Sequence, residues 1–134
     1  HRRERPRAWL VREAFEDLAG ALRDLARPGR AIVIDCLTLW TSNCLWPAAE
    51  RLDEAAPDFE RLARERDAFL AALAGCSGEV LVVSNEVGAG IVPAAAAARV
   101  FRDEHGALNQ AVAALCDEVY LVVAGLPLPL KRAG

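Results

Sequence analysis

Three runs of apolar, β-branched residues constrain the fold of this chain more than any other feature. They read AIVID at 31–35, EVLVVSN at 79–85 and EVYLVVAG at 118–125. Near-continuous apolar runs without polar alternation are typical of parallel strands that are covered on both faces. A shorter run, AWLV at 8–11, could add a further strand. The sequence therefore predicts a sheet of buried parallel strands.

Helical patterns separate these strands, because apolar residues recur there at spacings of three and four. The predicted helices are 15–25, 37–46, 59–73, one whose first turn is Pro93 and the five alanines after it, and one that opens after Gly106 and ends near 115. Asp58 is suited to cap the third helix at its start, and Gly75 to end it. Strands that alternate with helices predict an α/β fold with a parallel sheet flanked by helices. The length predicts one domain over residues 1–134.

The net charge and the cysteines limit which binding partners and which cellular compartment we expect for this protein. The formal net charge is −3, which argues against a nucleic-acid partner. The four cysteines, at 36, 44, 76 and 116, have no CxxC spacing, so we expect reduced thiols in a cytoplasmic protein. No apolar run approaches the roughly 20 residues that span a bilayer, so we expect no membrane span.

Polar side chains follow two of the predicted strands where the strands end. Asp35 closes the first, and Asn85 and Glu86 follow the second. In open α/β sheets, ligands bind outside the carboxyl ends of the strands, so these residues are candidates for a site. Asp35 resembles the Mg²⁺-supporting aspartate of P-loop NTPases, but it could equally cap the next helix. The matching G-x-x-x-x-G-K-[ST] motif does not occur, and the single lysine is Lys131.

The first nine residues, HRRERPRAW, place His1 among four arginines. Guanidinium groups suit phosphate oxygens, and a neutral imidazole can attack phosphorus and later release the group. The alternative is a solvated basic tail. The other histidine, His105, stands beside Asp103 and Glu104, and we interpret it as a polar residue at a helix end before Gly106 instead of a metal ligand.

Five stretches, in this order and spacing, carry a resemblance to one family. They are HRRERPRAW (1–9), Glu13, DCLTLWTSNCL (35–45), VVSNEVGAGIVP (82–93) and ARVFRDEHGALNQAVAALCDEVYLVVAGLPLPLK (98–131). Together they resemble the bifunctional adenosylcobinamide kinase / adenosylcobinamide-phosphate guanylyltransferase of cobalamin biosynthesis. The resemblance covers nearly the whole chain and is weakest between about 46 and 76.

The resemblance implies a RecA-like P-loop fold, a homotrimer and two reactions. The kinase phosphorylates adenosylcobinamide with ATP or GTP. The transferase then moves GMP from GTP, through a guanylylated histidine, to adenosylcobinamide phosphate, which yields adenosylcobinamide-GDP and pyrophosphate, with Mg²⁺ neutralising phosphate charge. His1 matches the guanylylated histidine. The residues that match the nucleotide contacts are Arg2, Arg3, Glu4, Arg5, Glu13 and Asp35.

Two questions stay open at this stage. Glu13 or Asp35 could accept the N1–H and 2-amino group of guanine, which adenine does not offer. Asn85 and Glu86 could shape the corrinoid or nucleotide crevice, or they could only close the strand and fix the turn after it.

One departure from the family changes what these residues alone are expected to do. Family members carry a strand and a Gly-rich phosphate-binding loop ahead of the histidine segment, whereas these 134 residues begin at the histidine. We therefore expect the native protein to carry that segment upstream, and expect neither kinase activity nor tight triphosphate binding without it. The alternatives are a non-catalytic guanine-nucleotide-binding or assembly fragment, and a P-loop kinase with another substrate.

Overall fold

The computed structural model describes residue 6 and residues 8–47 and 55–134. Its elements are α1 (Leu18–Leu25), β1 (Ala31–Asp35), α2 (Leu37–Leu45), α3 (Phe59–Ala74), β2 (Glu79–Val83), α4 (Ala96–Leu115), β3 (Val119–Val123) and β4 (Leu126–Lys131). This order confirms the α/β class and the predicted parallel strand at 31–35, and it confirms the strand predicted at 79–85 except that the strand ends at Val83. No helix in the described ranges is both long and apolar enough to cross a membrane.

β1 and β2 form a parallel pair in which Asp35 lies beside Val83. Successive strand residues point to opposite faces, and one face packs Ile34 and Val82 against the helices. On the other face Val33 is 46% exposed and Leu81 48%. The expectation of strands covered on both faces is therefore wrong within the described part of the chain, because the helical core packs against one face of this pair.

β3 was predicted as a third parallel strand, and this prediction is wrong. It pairs antiparallel with β4, which the sequence analysis did not find. The two residues between the strands, Ala124 and Gly125, have φ of 51° and 78°. Positive φ at both central positions is the geometry of a type I′ hairpin turn, whose twist matches that of the strands. Ala124 and Gly125 thus turn the chain back on itself.

Residues 8–11 do not form the further strand that the sequence suggested, but a turn followed by irregular backbone. The run is also largely exposed, with Trp9 at 56% and Leu10 at 79%. α1 begins after Asp17, whose carboxylate accepts a hydrogen bond from the Gly20 N–H at 2.7 Å. This cap fixes the direction in which segment 11–16 enters the helical layer.

α3 lies at the centre of the core and follows its sequence prediction closely. Asp58 caps it by accepting from the Arg61 N–H at 2.9 Å, and Gly75 ends it. Phe69 is fully buried, with its ring centroid 5.7 Å from that of Trp40 on α2. Helices α1, α2 and α4 all pack against α3, so it holds in place the helix that follows β1.

α4 runs without a break through Gly106, so the helix predicted to begin at Pro93 and the helix predicted to open after Gly106 are one element, which begins at Ala96. His105 is therefore no helix-end residue, and its side chain is fully buried. The last turn of α4 is held by Lys131 at the end of β4. The lysine Nζ donates to the carbonyls of Ala113, Ala114 and Cys116 at 3.2, 3.1 and 2.5 Å. A cation is favourable at the negative end of a helix, so this contact ties the hairpin to α4.

Candidate active site

A cleft of about 470 Å³ opens where β1 ends. Its walls are the segment before α1, the end of β1 and one face of α2. The lining residues are Val11, Arg12, Glu13, Ala14, Phe15, Asp35, Cys36, Leu39, Trp40 and Asn43. Pockets of this size bind small molecules, and the carboxyl end of a parallel strand is the usual position for them.

Side chains of α2 hold the wall formed by residues 11–16. The Trp40 indole N–H donates to the Glu16 carbonyl at 2.9 Å. The Asn43 amide donates to the Phe15 carbonyl at 3.3 Å. The segment is thus fixed to the helix that directly follows β1, which sets the width of the cleft.

Ion pairs hold the same wall from two further helices. Arg12 meets Asp24 of α1 at 2.9 Å, with both side chains largely exposed. Arg61 of α3 pairs with the Glu16 carboxylate, and the Arg61 side chain is only 21% exposed. Exposed pairs contribute little stability, so these contacts set position more than they stabilise the fold.

The cleft brings together the two carboxylates that the sequence analysis singled out. Glu13 and Asp35 are 22 positions apart in the chain, yet both line this cleft. The position that caps α2 is Cys36, so the alternative of Asp35 as the capping residue is not the arrangement observed. A carboxylate in such a cleft can accept two N–H groups of a bound base or support a cation.

Asn85 and Glu86 do not line the cleft but form the turn after β2. The Gly88 N–H donates to Glu86 Oε1 at 2.5 Å, so the carboxylate closes its own turn. A Cβ at Gly88 would lie 2.8 Å from that oxygen, so a larger residue there would displace the Glu86 carboxylate from this hydrogen bond. The Asn85 amide donates to Thr38 Oγ1 on α2 at 2.9 Å. Both residues thus act on the shape of the strand end.

A polar network lies behind this turn, with Thr41 and His105 fully buried and its other members half-buried or exposed. The two ring nitrogens of His105 lie 3.0 Å from Thr41 Oγ1 and 3.0 Å from Ser84 Oγ. Ser84 donates to Asn109 Oδ1 at 2.6 Å, and the Asn109 amide donates to the Asn85 carbonyl at 3.0 Å. Burial lowers the pKa of His105 below its usual value, so a neutral imidazole is favoured.

Sequence reasoning missed His105 and the cleft residues of α2, although both left a signal. Phe101, His105, Leu108 and Val112 have the helical spacing of one buried face, which places the histidine in the core. Cys36, Leu39, Trp40 and Asn43 likewise recur at three and four residues along α2. Neither pattern shows by itself which polar group the side chain meets.

The remaining predicted site residues lie outside the described part of the chain. They are His1, Arg2, Arg3, Glu4 and Arg5. Within the described ranges, no group of three or more histidine, cysteine, aspartate or glutamate side chains is placed to hold a metal ion. All four cysteines are free thiols, as predicted.

Comparisons with known proteins identify the family of this chain. The family model described as cobinamide kinase / cobinamide phosphate guanyltransferase matches residues 1–130. The bifunctional adenosylcobalamin biosynthesis protein CobP of Pseudomonas aeruginosa is 43% identical over 131 residues, which is 98% of this chain and 70% of the relative. CobU of Salmonella typhimurium is 36% identical and CobU of Escherichia coli 33%, each over 135 residues, 98% of this chain and 75% of the relative. The chain therefore belongs to the cobinamide kinase / cobinamide phosphate guanyltransferase family.

Proposed function

We propose that this protein is a bifunctional enzyme of cobalamin biosynthesis. It phosphorylates adenosylcobinamide with ATP or GTP, and it transfers GMP from GTP to adenosylcobinamide phosphate. The observation that carries the proposal is the cleft shared by Glu13 and Asp35, in a chain that belongs to this family. We further propose a cytoplasmic homotrimer with the RecA-like P-loop fold.

His1 is the proposed nucleophile of the transfer. Its neutral imidazole nitrogen attacks the α-phosphorus of GTP, the N–P bond forms, and the bond to the β-phosphate oxygen breaks to release pyrophosphate. A phosphate oxygen of adenosylcobinamide phosphate then attacks the same phosphorus. The N–P bond breaks, and adenosylcobinamide-GDP leaves with the histidine restored. Arg2, Arg3 and Arg5 balance the phosphate charge, with Glu4 beside them.

The cleft supplies the base-binding part of the site. One carboxylate of the pair formed by Glu13 and Asp35 accepts the N1–H and 2-amino group of guanine, so the site favours GTP over ATP in the transfer step. The other supports a cation. Mg²⁺ is usually held by one or two carboxylates and the substrate phosphates, and Asp35 at the end of β1 fits that role. When bound, Mg²⁺ would neutralise phosphate charge.

A labelling experiment tests the nucleophile. The full-length protein is incubated with GTP labelled at the α-phosphate, and we expect an acid-labile, alkali-stable adduct on the peptide that contains His1. The peptide that contains His105 is the internal control, because that imidazole is fully buried and should carry no label. His1→Ala should abolish labelling, and equal labelling of this variant would show the assignment to be wrong.

A chase separates the alternatives. Adenosylcobinamide phosphate should remove the label as adenosylcobinamide-GDP, whereas unphosphorylated adenosylcobinamide should not. Binding of GTP without any adduct would favour the non-catalytic module. Transfer of a γ-phosphate to other alcohols but not to adenosylcobinamide would favour a P-loop kinase with another substrate.

A further inference from the structure

Polar groups around His105 form a chain of hydrogen bonds that leaves α2, passes through α4 and the residues after β2, and returns to α2; we call this chain the ring. It runs from Thr41 to His105, Ser84, Asn109, Asn85 and Thr38, and both of its ends lie on α2. Thr38 and Thr41 are three residues apart, so they share one face of that helix. Leu39, Trp40 and Asn43 on α2 line the cleft. The ring therefore fixes the helix that forms one cleft wall.

The hydrogen-bond directions in the ring are determined by its partners. The Asn85 carbonyl can only accept, so the Asn109 amide nitrogen must face it, and Asn109 Oδ1 must face Ser84. The Ser84 hydroxyl donates its one hydrogen to Asn109 Oδ1. Its oxygen therefore accepts the hydrogen bond from His105 Nε2–H. His105 is held as a donor towards the β2 turn.

The other ring nitrogen completes this assignment. Thr41 Oγ1 lies 2.8 Å from the Leu37 carbonyl and 3.0 Å from His105 Nδ1, so its proton can go to either. Because Nε2 carries the hydrogen of the neutral imidazole, Nδ1 can only accept, and we assign the Thr41 proton to it. With the Nε2–H tautomer, each member of the ring has a hydrogen-bond partner. Each member donates to the next one along the ring, from Thr41 to Thr38.

We propose that Ser84, His105 and Asn109 are positioning residues for guanylyl transfer, holding Asn85 against Thr38 so that α2 presents its cleft face to the nucleotide in one place. The inference rests on the proposed function. None of the three lines the cleft, so their effect on the reaction passes through α2. Displacement of a bound substrate by about 1 Å can cost on the order of 100-fold in rate, so a loosened wall lowers kcat.

Two variants break the ring, and a third rescues one of them. In the full-length protein, we expect Ser84→Ala and Asn109→Ala each to lower kcat for adenosylcobinamide-GDP formation about tenfold, with KM for GTP changed less than about threefold. Ser84→Thr keeps the hydroxyl and should restore kcat to within about twofold of the parent. The double variant should lose little more than either single one, because both break the same ring.

Control variants separate a loss of positioning of α2 from a loss of folding. Ser77→Ala removes an exposed hydroxyl in the turn before β2 and should leave kcat unchanged. Thr38→Val is nearly isosteric and removes only the last acceptor, so it keeps the test valid should the buried variants fail to fold. Melting temperatures are measured for every variant. Wild-type kcat in folded Ser84→Ala, Asn109→Ala and Thr38→Val would overturn the inference.

A second readout does not depend on activity. The ¹⁵N spectrum of the His105 ring should show a single neutral Nε2–H tautomer at pH 7, and a dominant Nδ1–H form would overturn the assigned directions. An inactive parent protein would overturn the proposed function together with this inference. An active parent with unaffected variants would overturn the inference alone.

Discussion

At the scale of single residues, the Cys36 thiol is a chemical probe of whether the cleft is occupied. It follows Asp35, lines the cleft and is partly exposed. Cys76 is also partly exposed but lies after α3, outside the cleft lining. Cys44 is fully buried, and burial raises its pKa to about 12. At pH 8 the thiolate of such a group is about one part in ten thousand, so alkylation should not reach it.

Alkylation of Cys36 tests whether GTP occupies the cleft. We expect saturating GTP to slow its reaction with iodoacetamide severalfold, because the nucleotide covers the thiol. Cys76 is the matched control and should react at the same rate with and without GTP. Mass spectrometry of the digested protein measures each site. Unchanged reactivity of Cys36 would place the nucleotide elsewhere.

The sequence predicted individual site residues unevenly. Glu13 and Asp35 were named from the chain, and the structure brings them to one cleft, while their roles stay a prediction. His105 was taken for a helix-end residue, because a histidine beside Asp103 and Glu104 looks solvated until the full length of α4 is known. Hydrogen-bond partners such as Thr41 lie 64 positions away, and no local pattern encodes that distance.

At the scale of elements, local signals succeeded where a cap or a stop is explicit. Asp58 and Gly75 bound α3, and Pro47 follows the end of α2. The prediction failed at Gly106, because a glycine inside a helix and a glycine next to one look alike in a sequence. β4 was missed because its two prolines disfavour a strand, yet prolines are tolerated at an unpaired edge.

Substitution of Gly106 tests the full length of α4. A Cβ at Gly106 would meet nothing within 4 Å, so Gly106→Ala should raise the free energy of unfolding by about 0.5–1 kcal/mol. Urea denaturation measures this change. Gly20→Ala in α1 is the contrasting control, because its Cβ would collide with the capping carboxylate of Asp17 and should destabilise the protein. Loss of stability in Gly106→Ala would contradict an uninterrupted α4.

At the scale of the whole molecule, the ring around His105 joins α2, β2 and α4 through a group that changes charge near neutral pH. Burial lowers its pKa in the folded chain, while the nearby Glu86 carboxylate opposes that shift. In the unfolded chain the imidazole titrates near its ordinary value of about 6.5. Below about pH 6.5, the unfolded state therefore binds protons more readily than the folded state does.

This difference in pKa between the two states predicts that the free energy of unfolding depends on pH. The free energy of unfolding should be constant above about pH 6.5 as far as His105 is concerned, and should fall as pH drops below that value, by at most about 1.4 kcal/mol per pH unit. His105→Gln keeps a side-chain N–H donor but does not titrate, so the slope attributable to His105 should disappear. Urea titrations of both proteins at pH 5, 6, 7 and 8 measure it, and equal slopes would contradict the buried neutral imidazole.

The overall class was predictable, but the pairing of β3 was not. Alternating strands and helices pointed to α/β, and the parallel pair of β1 and β2 follows from that order. Apolar β3 resembles a buried parallel strand in sequence, whereas its partner was decided by the positive φ of Ala124 and Gly125. A two-residue turn places the following strand directly beside the preceding one, so β3 pairs with β4 and not with a strand that is distant in sequence.

The contact between Lys131 and the end of α4 has a practical consequence for anyone who labels or immobilises this protein. Lys131 is the single lysine of these 134 residues, and reagents that acylate side-chain amines would modify it. That amine is engaged with three carbonyls, and acylation would remove the charge that holds β4 to the helix. Coupling at Lys131 would therefore weaken the contact between the hairpin and α4, and a fused tag is the better handle.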